Sequence, residues 1–200
     1  TPTNSEFFIY MDTHSKMTLE GVGMKVPEKH QSTIGMSASE LSIRNSTIFS
    51  KIDLSEGSKL TLENVHIEKF GNNTIHAKDS EVIAKNSTIT GGDLEKDFPP
   101  VWLRNVIWES ENCKIELPTG TGVCLDNNVQ FNSNSDRITS INSYNSMIRA
   151  HQATFSEFLC VYEESFASLT GETTFLNENA QTISFGVFED GVLMAEHMIC

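Results

Sequence analysis

Three carboxylates at alternate positions of one irregular segment are the first candidates for chemistry. Asp93, Glu95 and Asp97 lie in TGGDLEKDFPP at 90–100. Ca²⁺ takes oxygen ligands from loops, so these residues are candidate calcium ligands, and we expect no other metal or cofactor. Paired carboxylates also supply the general acid and base of a glycosidase, which makes the three residues, with Asp126, candidate catalytic groups. A solvated acidic loop is the remaining interpretation.

A second set of candidates follows along the chain: Trp102, Arg104, Asp126, Arg149 and His151. The alternation of apolar and polar residues around them predicts that all five point outward from neighbouring strands. An indole ring beside mixed charges can stack on the apolar face of a sugar. We therefore interpret the five residues as a candidate ligand-binding surface. Asp126, Arg149 and His151 are also a candidate set for general base chemistry on a uronic acid. A Trp102 covered by the preceding loop is the alternative.

These residues must be positioned by a repeat that fills the chain. Three segments of ten residues share one pattern: SELSIRNSTI at 39–48, SKLTLENVHI at 58–67 and SEVIAKNSTI at 80–89. Each alternates apolar and polar residues, reaches an asparagine and alternates again, which predicts a strand, a sharp bend and a second strand. Asparagine favours the bend because it tolerates the left-handed backbone conformation.

Weaker copies of this pattern occur before and after the three segments. The bend residues are predicted at 21, 45, 64, 86, 105, 128, 152, 172 and 197, with a mean spacing of about 22 residues. A period of this length predicts a solenoid, in which stacked turns build a continuous core that no single repeat could form alone. Regularly spaced turns also occur in antiparallel sandwiches, which are the alternative fold.

The repeat resembles the right-handed parallel β-helices of the pectate-lyase-like superfamily. The asparagines at 45, 64, 86, 105 and 127/128 are similar to the asparagine ladder of that superfamily. The resemblance implies an all-β chain with a single domain over residues 1–200, about nine coils and about 22 residues per coil. It also indicates that the chain is similar to the shaft of a phage tailspike or of a bacterial surface β-helix protein. Trimers are common among such shafts, so the resemblance implies a homotrimer.

The bends also predict which side chains form the core. Residues two and four before the bends at 21, 45, 64, 86 and 105 should point inward. Residues one and three after the bends at 64, 86, 105, 128 and 152 should do the same, Trp108, Phe131 and Phe155 among them. The outward residue just before each bend forms a column of alternating charge: Glu20, Arg44, Glu63, Lys85 and Arg104. Opposite charges on adjacent strands pair, so this column is interpreted as a structural charge ladder.

Composition narrows the function. The net charge of −13 and the lack of a basic cluster disfavour nucleic acid and anionic lipid as partners. The sequence has no apolar run long enough to predict membrane insertion. The four cysteines lack zinc-site spacing and are expected to be free thiols, which suits folding in a reducing compartment.

Together these features predict a non-enzymatic rod of an extracellular or virion-associated protein that binds a polysaccharide, another glycan or a protein partner. A polysaccharide lyase or glycoside hydrolase is the enzymatic alternative, and a cytoplasmic scaffold is a third. Neither end of the repeat has a polar cap. We therefore expect the chain to be a fragment of a longer polypeptide, or its ends to stack on other subunits.

Overall fold

The computed structural model describes residues 6–24, 32–69, 74–91, 99–118, 122–176 and 185–199. All regular structure in these ranges is β-strand. Every pairing between the described strands is parallel, including the pairings of the three segments that carry the strongest repeat. The chain is therefore a parallel β-solenoid with about 22 residues per turn and a right-handed type of coil, and the antiparallel sandwich is excluded.

Each turn has three strands, which stack on the equivalent strands of neighbouring turns to give three faces. The first face contains β1 (Glu6–Met11), β4 (Ser32–Ser37), β7 (Lys51–Ser55), the first part of β10 (Ile75–Lys85), the first part of β12 (Val101–Glu111), β14 (Val123–Asp126), β17 (Ile141–Tyr144), β20 (Leu159–Tyr162) and β22 (Phe185–Val187).

The second face contains β2 (Lys16–Glu20), β5 (Glu40–Arg44), β8 (Lys59–Glu63), the second parts of β10 and β12, β15 (Gln130–Asn134), β18 (Met147–His151) and the first parts of β21 (Phe166–Phe175) and β23 (Val192–Ile199). The third face contains β3 (Gly23–Met24), β6 (Thr47–Ile48), β9 (His66–Lys69), β11 (Thr88–Gly91), β13 (Lys114–Glu116), β16 (Arg137–Ile138), β19 (Thr154–Phe155) and the ends of β21 and β23.

The number of turns, predicted at about nine, is about seven when only turns with a neighbour on both sides are counted. One further turn lies at each end of the described stack. The solenoid interior is filled by one continuous cluster of apolar side chains. Trp108, Phe131 and Phe155 are fully buried in it, as predicted. Burial of a large apolar side chain contributes about 1.5–3 kcal/mol, so this cluster holds the turns together.

Two corners in each turn need a left-handed backbone, and this corrects the predicted single ladder. The second corner, between the second and third faces, contains Asn45, Asn64 and Asn86, with φ of 47°, 53° and 47°. The Asn64 side-chain amide donates to Asn45 Oδ1 at 3.1 Å. Asn112 occupies the same corner in the next turn. Glu111 is paired with Lys85, so the residues that follow them, Asn112 and Asn86, lie at equivalent positions.

Asn105 and Asn127/Asn128 lie at the first corner instead, between the first and second faces. The Asn105 side-chain amide donates to Asp79 Oδ1 at 2.7 Å, and Asp79 also has a positive φ, of 49°. The predicted alignment was wrong here because asparagine suits a left-handed corner at either place. Inward and outward directions survived the error, because both corners are followed by a buried residue: Val106 after Asn105 and Cys113 after Asn112.

Candidate functional site

The predicted binding surface is divided between two faces. Arg104 and Asp126 are opposite each other on the first face, with 3.8 Å between Arg104 Nε and Asp126 Oδ2. Arg149 and His151 lie on β18 of the second face. The prediction that Asp126 joins Arg149 and His151 in one set was therefore wrong. Its cause is the same corner error, which shifted the alignment of β12 and β14.

Trp102 does not present a free ring to solvent. It is half-buried, and its indole stacks on the His76 imidazole with 4.8 Å between ring centroids and 15° between planes. His76 Nδ1 is 2.7 Å from Asp53 Oδ1, and Lys51 Nζ is 2.7 Å from Asp53 Oδ2. Burial alone would raise the pKa of Asp53, but hydrogen bonds from His76 and Lys51 outweigh it and lower the pKa. Trp102, His76, Asp53 and Lys51 therefore form one cluster of mutual contacts, which the sequence analysis did not predict.

Three cysteines of the described chain are free thiols. Burial raises the pKa of Cys113 and of Cys124 to about 11, and it also raises the pKa of Cys160. These thiols stay protonated at neutral pH, which disfavours them as nucleophiles. Cys200 lies outside the described residues.

A groove of about 300 Å³ lies on the second face and is lined mainly by polar residues. It crosses β12, β15, β18 and β21, and it is lined by Glu109, Ser110, Asn132, Ser133, Asn134, Arg149, Ala150, His151, Ser168 and Thr170. Arg149 and His151 come from the predicted set. The other polar residues were missed. Correctly aligned strands would have identified those at outward positions, but not Ser110 and Ser133, which point inward.

Small residues form the floor of the groove. Ser110, Ser133 and Ala150 occupy adjacent turns of one inward column. The two serine hydroxyls donate to Oδ2 of the buried Asp136, at 2.5 Å from Ser110 and 2.7 Å from Ser133. The Cys113 N–H donates to Asp136 Oδ1 at 2.7 Å. Burial raises the pKa of Asp136, although these hydrogen bonds oppose the rise. One buried carboxylate thus links β12, β15 and the corner that follows β12 beneath the groove.

The rim of the groove holds charges that lack partners. Arg149 lies between Asn132 and Ser168 on the adjacent strands, and Glu109 lies between Ile83 and Asn132. Neither charge makes an ion pair with another described residue. His151 is oriented by a contact of 3.1 Å between its Nδ1 and Thr170 Oγ1. Charged groups without an ion-pair partner, such as Glu109 and Arg149, can bind a polar ligand without first breaking an internal ion pair.

A second, smaller depression of about 240 Å³ continues the groove toward β10. It is lined by Glu109 and Asn134 together with Lys85 and Glu111. Lys85 Nζ is 3.2 Å from Glu111 Oε2, so these two charges are already paired. The charged groups are therefore unpaired over the later turns of the groove, whereas toward the earlier turns they are held in an ion pair.

The remaining predicted residues lie outside this description. Asp93, Glu95 and Asp97 fall in 92–98, beyond the described residues. No group of three or more His, Cys, Asp or Glu residues that could hold a metal ion occurs in the described part of the chain. Within the same ranges, no helix is long and apolar enough to cross a membrane.

Comparisons with known proteins do not assign a function to this chain, so a proposal for its function rests on the fold and the groove. No protein-family model, curated protein or solved structure gave a significant match to this chain.

Proposed function

We propose that this chain is a non-enzymatic structural rod of an extracellular or virion-associated protein, similar to a tailspike shaft, and that the groove on the second face binds glycan. The observation that carries this proposal is the run of polar side chains along one groove, in which Glu109 and Arg149 make no ion pair with another described residue. Amide, guanidinium and imidazole groups from Asn132, Asn134, Arg149 and His151 suit the hydroxyls of a saccharide.

The position of the groove supports an extended ligand. It crosses four stacked strands, and stacked strands are about 4.8 Å apart, so a ligand that fills it runs along the solenoid axis. A linear glycan has this shape. Its hydroxyl groups recur along the chain and can meet polar side chains that recur from turn to turn.

Binding without hydrolysis is favoured by the composition of the groove. Glycoside hydrolysis normally uses two carboxyl groups beside the scissile bond. Glu109 is the single carboxylate among the described residues that line the groove. Asp126 lies on another face than Arg149 and His151, so these three residues do not form one lyase site. Asp93, Glu95 and Asp97, the other candidates of the enzymatic alternative, lie outside the described residues.

Blocking the groove tests the proposal. Asn132→Trp places a bulky side chain in the middle of the groove and should abolish binding to a glycan array. Thr61→Trp is the matched control, since Thr61 belongs to the same outward column three turns earlier and lies outside the groove. It should bind as the unmodified chain does. Absence of any glycan ligand, or an Asn132→Trp variant that still binds, contradicts the proposal.

Two further measurements address the alternatives. Incubation with acidic polysaccharides, followed by ultraviolet absorbance of unsaturated sugar ends, detects lyase activity, and we expect none. Light scattering measures the oligomeric state, for which we propose a homotrimer or stacking on other subunits.

A further inference from the structure

Two opposite charges lie at fixed places along the groove. Glu109, Asn132 and Arg149 are consecutive members of one outward column, in β12, β15 and β18. Glu109 and Arg149 are therefore two turns apart, or about 10 Å at the backbone. Asn132 separates them, and they do not form an ion pair.

The absence of a partner is unusual on this surface. Eight of the lysines and arginines with described side chains have a carboxylate within 4.0 Å: Lys16, Arg44, Lys51, Lys59, Lys78, Lys85, Arg104 and Lys114. Arg137 and Arg149 are the two with described side chains that do not. Arg137 begins β16 on the third face. Of these two arginines, only Arg149 lines the groove.

We infer that the groove recognises a zwitterionic saccharide, with a carboxylate at Arg149 and an ammonium group on a neighbouring sugar at Glu109. This inference rests on the proposed glycan binding and names the ligand class. A guanidinium binds a carboxylate through two parallel hydrogen bonds, and a carboxylate accepts from an ammonium. Asn132, between them, is free to bond a hydroxyl near the glycosidic link.

The local charges decide the preference despite the net charge of −13. At physiological ionic strength charges are screened beyond about 8 Å, so a ligand in the groove responds mainly to the residues that line it. A purely anionic saccharide would place negative charge beside Glu109. A purely cationic one would place positive charge beside Arg149. The zwitterion satisfies both residues, and this gives specificity by charge complementarity.

The probe is an unsulfated hexasaccharide of alternating glucuronate and glucosamine with free amines. Three matched forms complete the set: the N-acetylated form, which is anionic; the carboxyl-reduced form, which is cationic; and the form with both changes, which is neutral. Titration calorimetry should show that the zwitterionic form binds tightest. N-acetylation and carboxyl reduction should each weaken binding by about three- to tenfold, as expected for single charged contacts in a partly exposed groove.

Variants assign each charge to its partner. With Glu109→Gln, N-acetylation should no longer change affinity, and with Arg149→Gln, carboxyl reduction should no longer change it. Arg137→Gln is the control, because it removes an equal unpaired charge outside the groove and should keep the full preference. Equal affinity for all four forms, or an Arg149→Gln variant that still distinguishes the carboxylate, overturns the inference but leaves glycan binding intact. Absence of binding to all four forms also overturns it, and the proposed function falls with it only if the glycan array is empty too.

Discussion

The second face has two regions, in its earlier and its later turns, built from parallel strands with the same spacing. In the earlier turns, outward charges pair between adjacent strands: Lys16 Nζ with Glu40 Oε1 at 2.8 Å and Lys59 Nζ with Glu81 Oε1 at 2.8 Å. In the later turns, asparagine and serine replace one partner, and the charges of Glu109 and Arg149 remain unpaired. The scaffold is constant, so the difference comes from side-chain choice alone. Paired charges stabilise the stacking register, whereas unpaired ones are available to a ligand.

The floor of the groove should be more sensitive to truncation than its counterpart in the earlier region. Asp136→Ala leaves the Cys113 N–H and two serine hydroxyls without their acceptor, and we expect a loss of about 3 kcal/mol in the free energy of unfolding. Ser87→Ala removes the equivalent acceptor of the Val65 N–H and should cost about 1 kcal/mol. Urea denaturation measures both. Equal losses would show that Asp136 has no special role beneath the groove.

Alanine substitutions at two glycines with positive φ can distinguish the effect of backbone strain from the effect of a changed groove geometry. A Cβ on Gly171 would lie 2.9 Å from His151 Cε1 and 2.8 Å from Gln152 Cγ, whereas a Cβ on Gly57 would meet nothing within 4 Å. Gly57→Ala should therefore cost about 1 kcal/mol from strain alone. Gly171→Ala should cost about 2 kcal/mol and displace His151, so that glycan binding weakens. Thermal melts and glycan titrations of both variants check this. A Gly171→Ala variant that binds normally would remove His151 from the site.

Acid should affect the half-buried Asp53 and the buried Asp136 in opposite ways. The pKa of Asp53 is lowered on folding, so its contribution to stability is present above the usual value of 3.8 and is lost as the pH falls through the folded pKa. The stability difference between the unmodified chain and Asp53→Asn should therefore shrink below about pH 4.

The pKa of Asp136 is raised, so its contribution is present below 3.8 and is lost as the pH rises through the folded pKa. As the pH rises through this range, the Asp136→Asn variant should become more stable relative to the unmodified chain. Urea midpoints measured from pH 3 to pH 7 check both carboxylates. Parallel profiles for the two variants would contradict the assignment.

Extending the charge ladder into the groove should give the smallest change in stability. Asn132→Lys gives Glu109 a lysine on the adjacent strand but also places that lysine opposite Arg149, so attraction and repulsion should nearly cancel and change the free energy of unfolding by no more than about 0.5 kcal/mol. The same change neutralises Glu109, so glycan binding should fall. Lys85→Gln, which removes the pair with Glu111, should lose a similar small amount of stability and leave binding intact. An Asn132→Lys variant with unchanged binding would show that the unpaired charge is unimportant.

The core was predictable from the sequence because a strand alternates with a period of two. Leu60, Trp108 and Phe131 were assigned inward and are fully buried. The assignment survived the corner error because a shift from one corner to the other preserves this alternation. Arg149 and His151 were correctly placed outward, but their neighbours were not identified.

The site was less predictable because it depends on which residue lies above which. Arg104 was expected to follow Lys85 in the charge ladder, yet Lys78 is its neighbour on one side and Asp126 on the other. Glu111 takes the place opposite Lys85. One displaced corner therefore moved every outward neighbour in β12 while leaving every inward residue inside.

The sequence by itself determined the alternation, the presence of left-handed corners and hence a solenoid with a defined buried set, because each of these depends on only a few consecutive residues. Tertiary structure alone decided the stacking of the turns. The connecting segments differ in length, and register is set by hydrogen bonds between turns that are distant in sequence. The groove exists only in that register, which brings Glu109, Asn132 and Arg149 into one column.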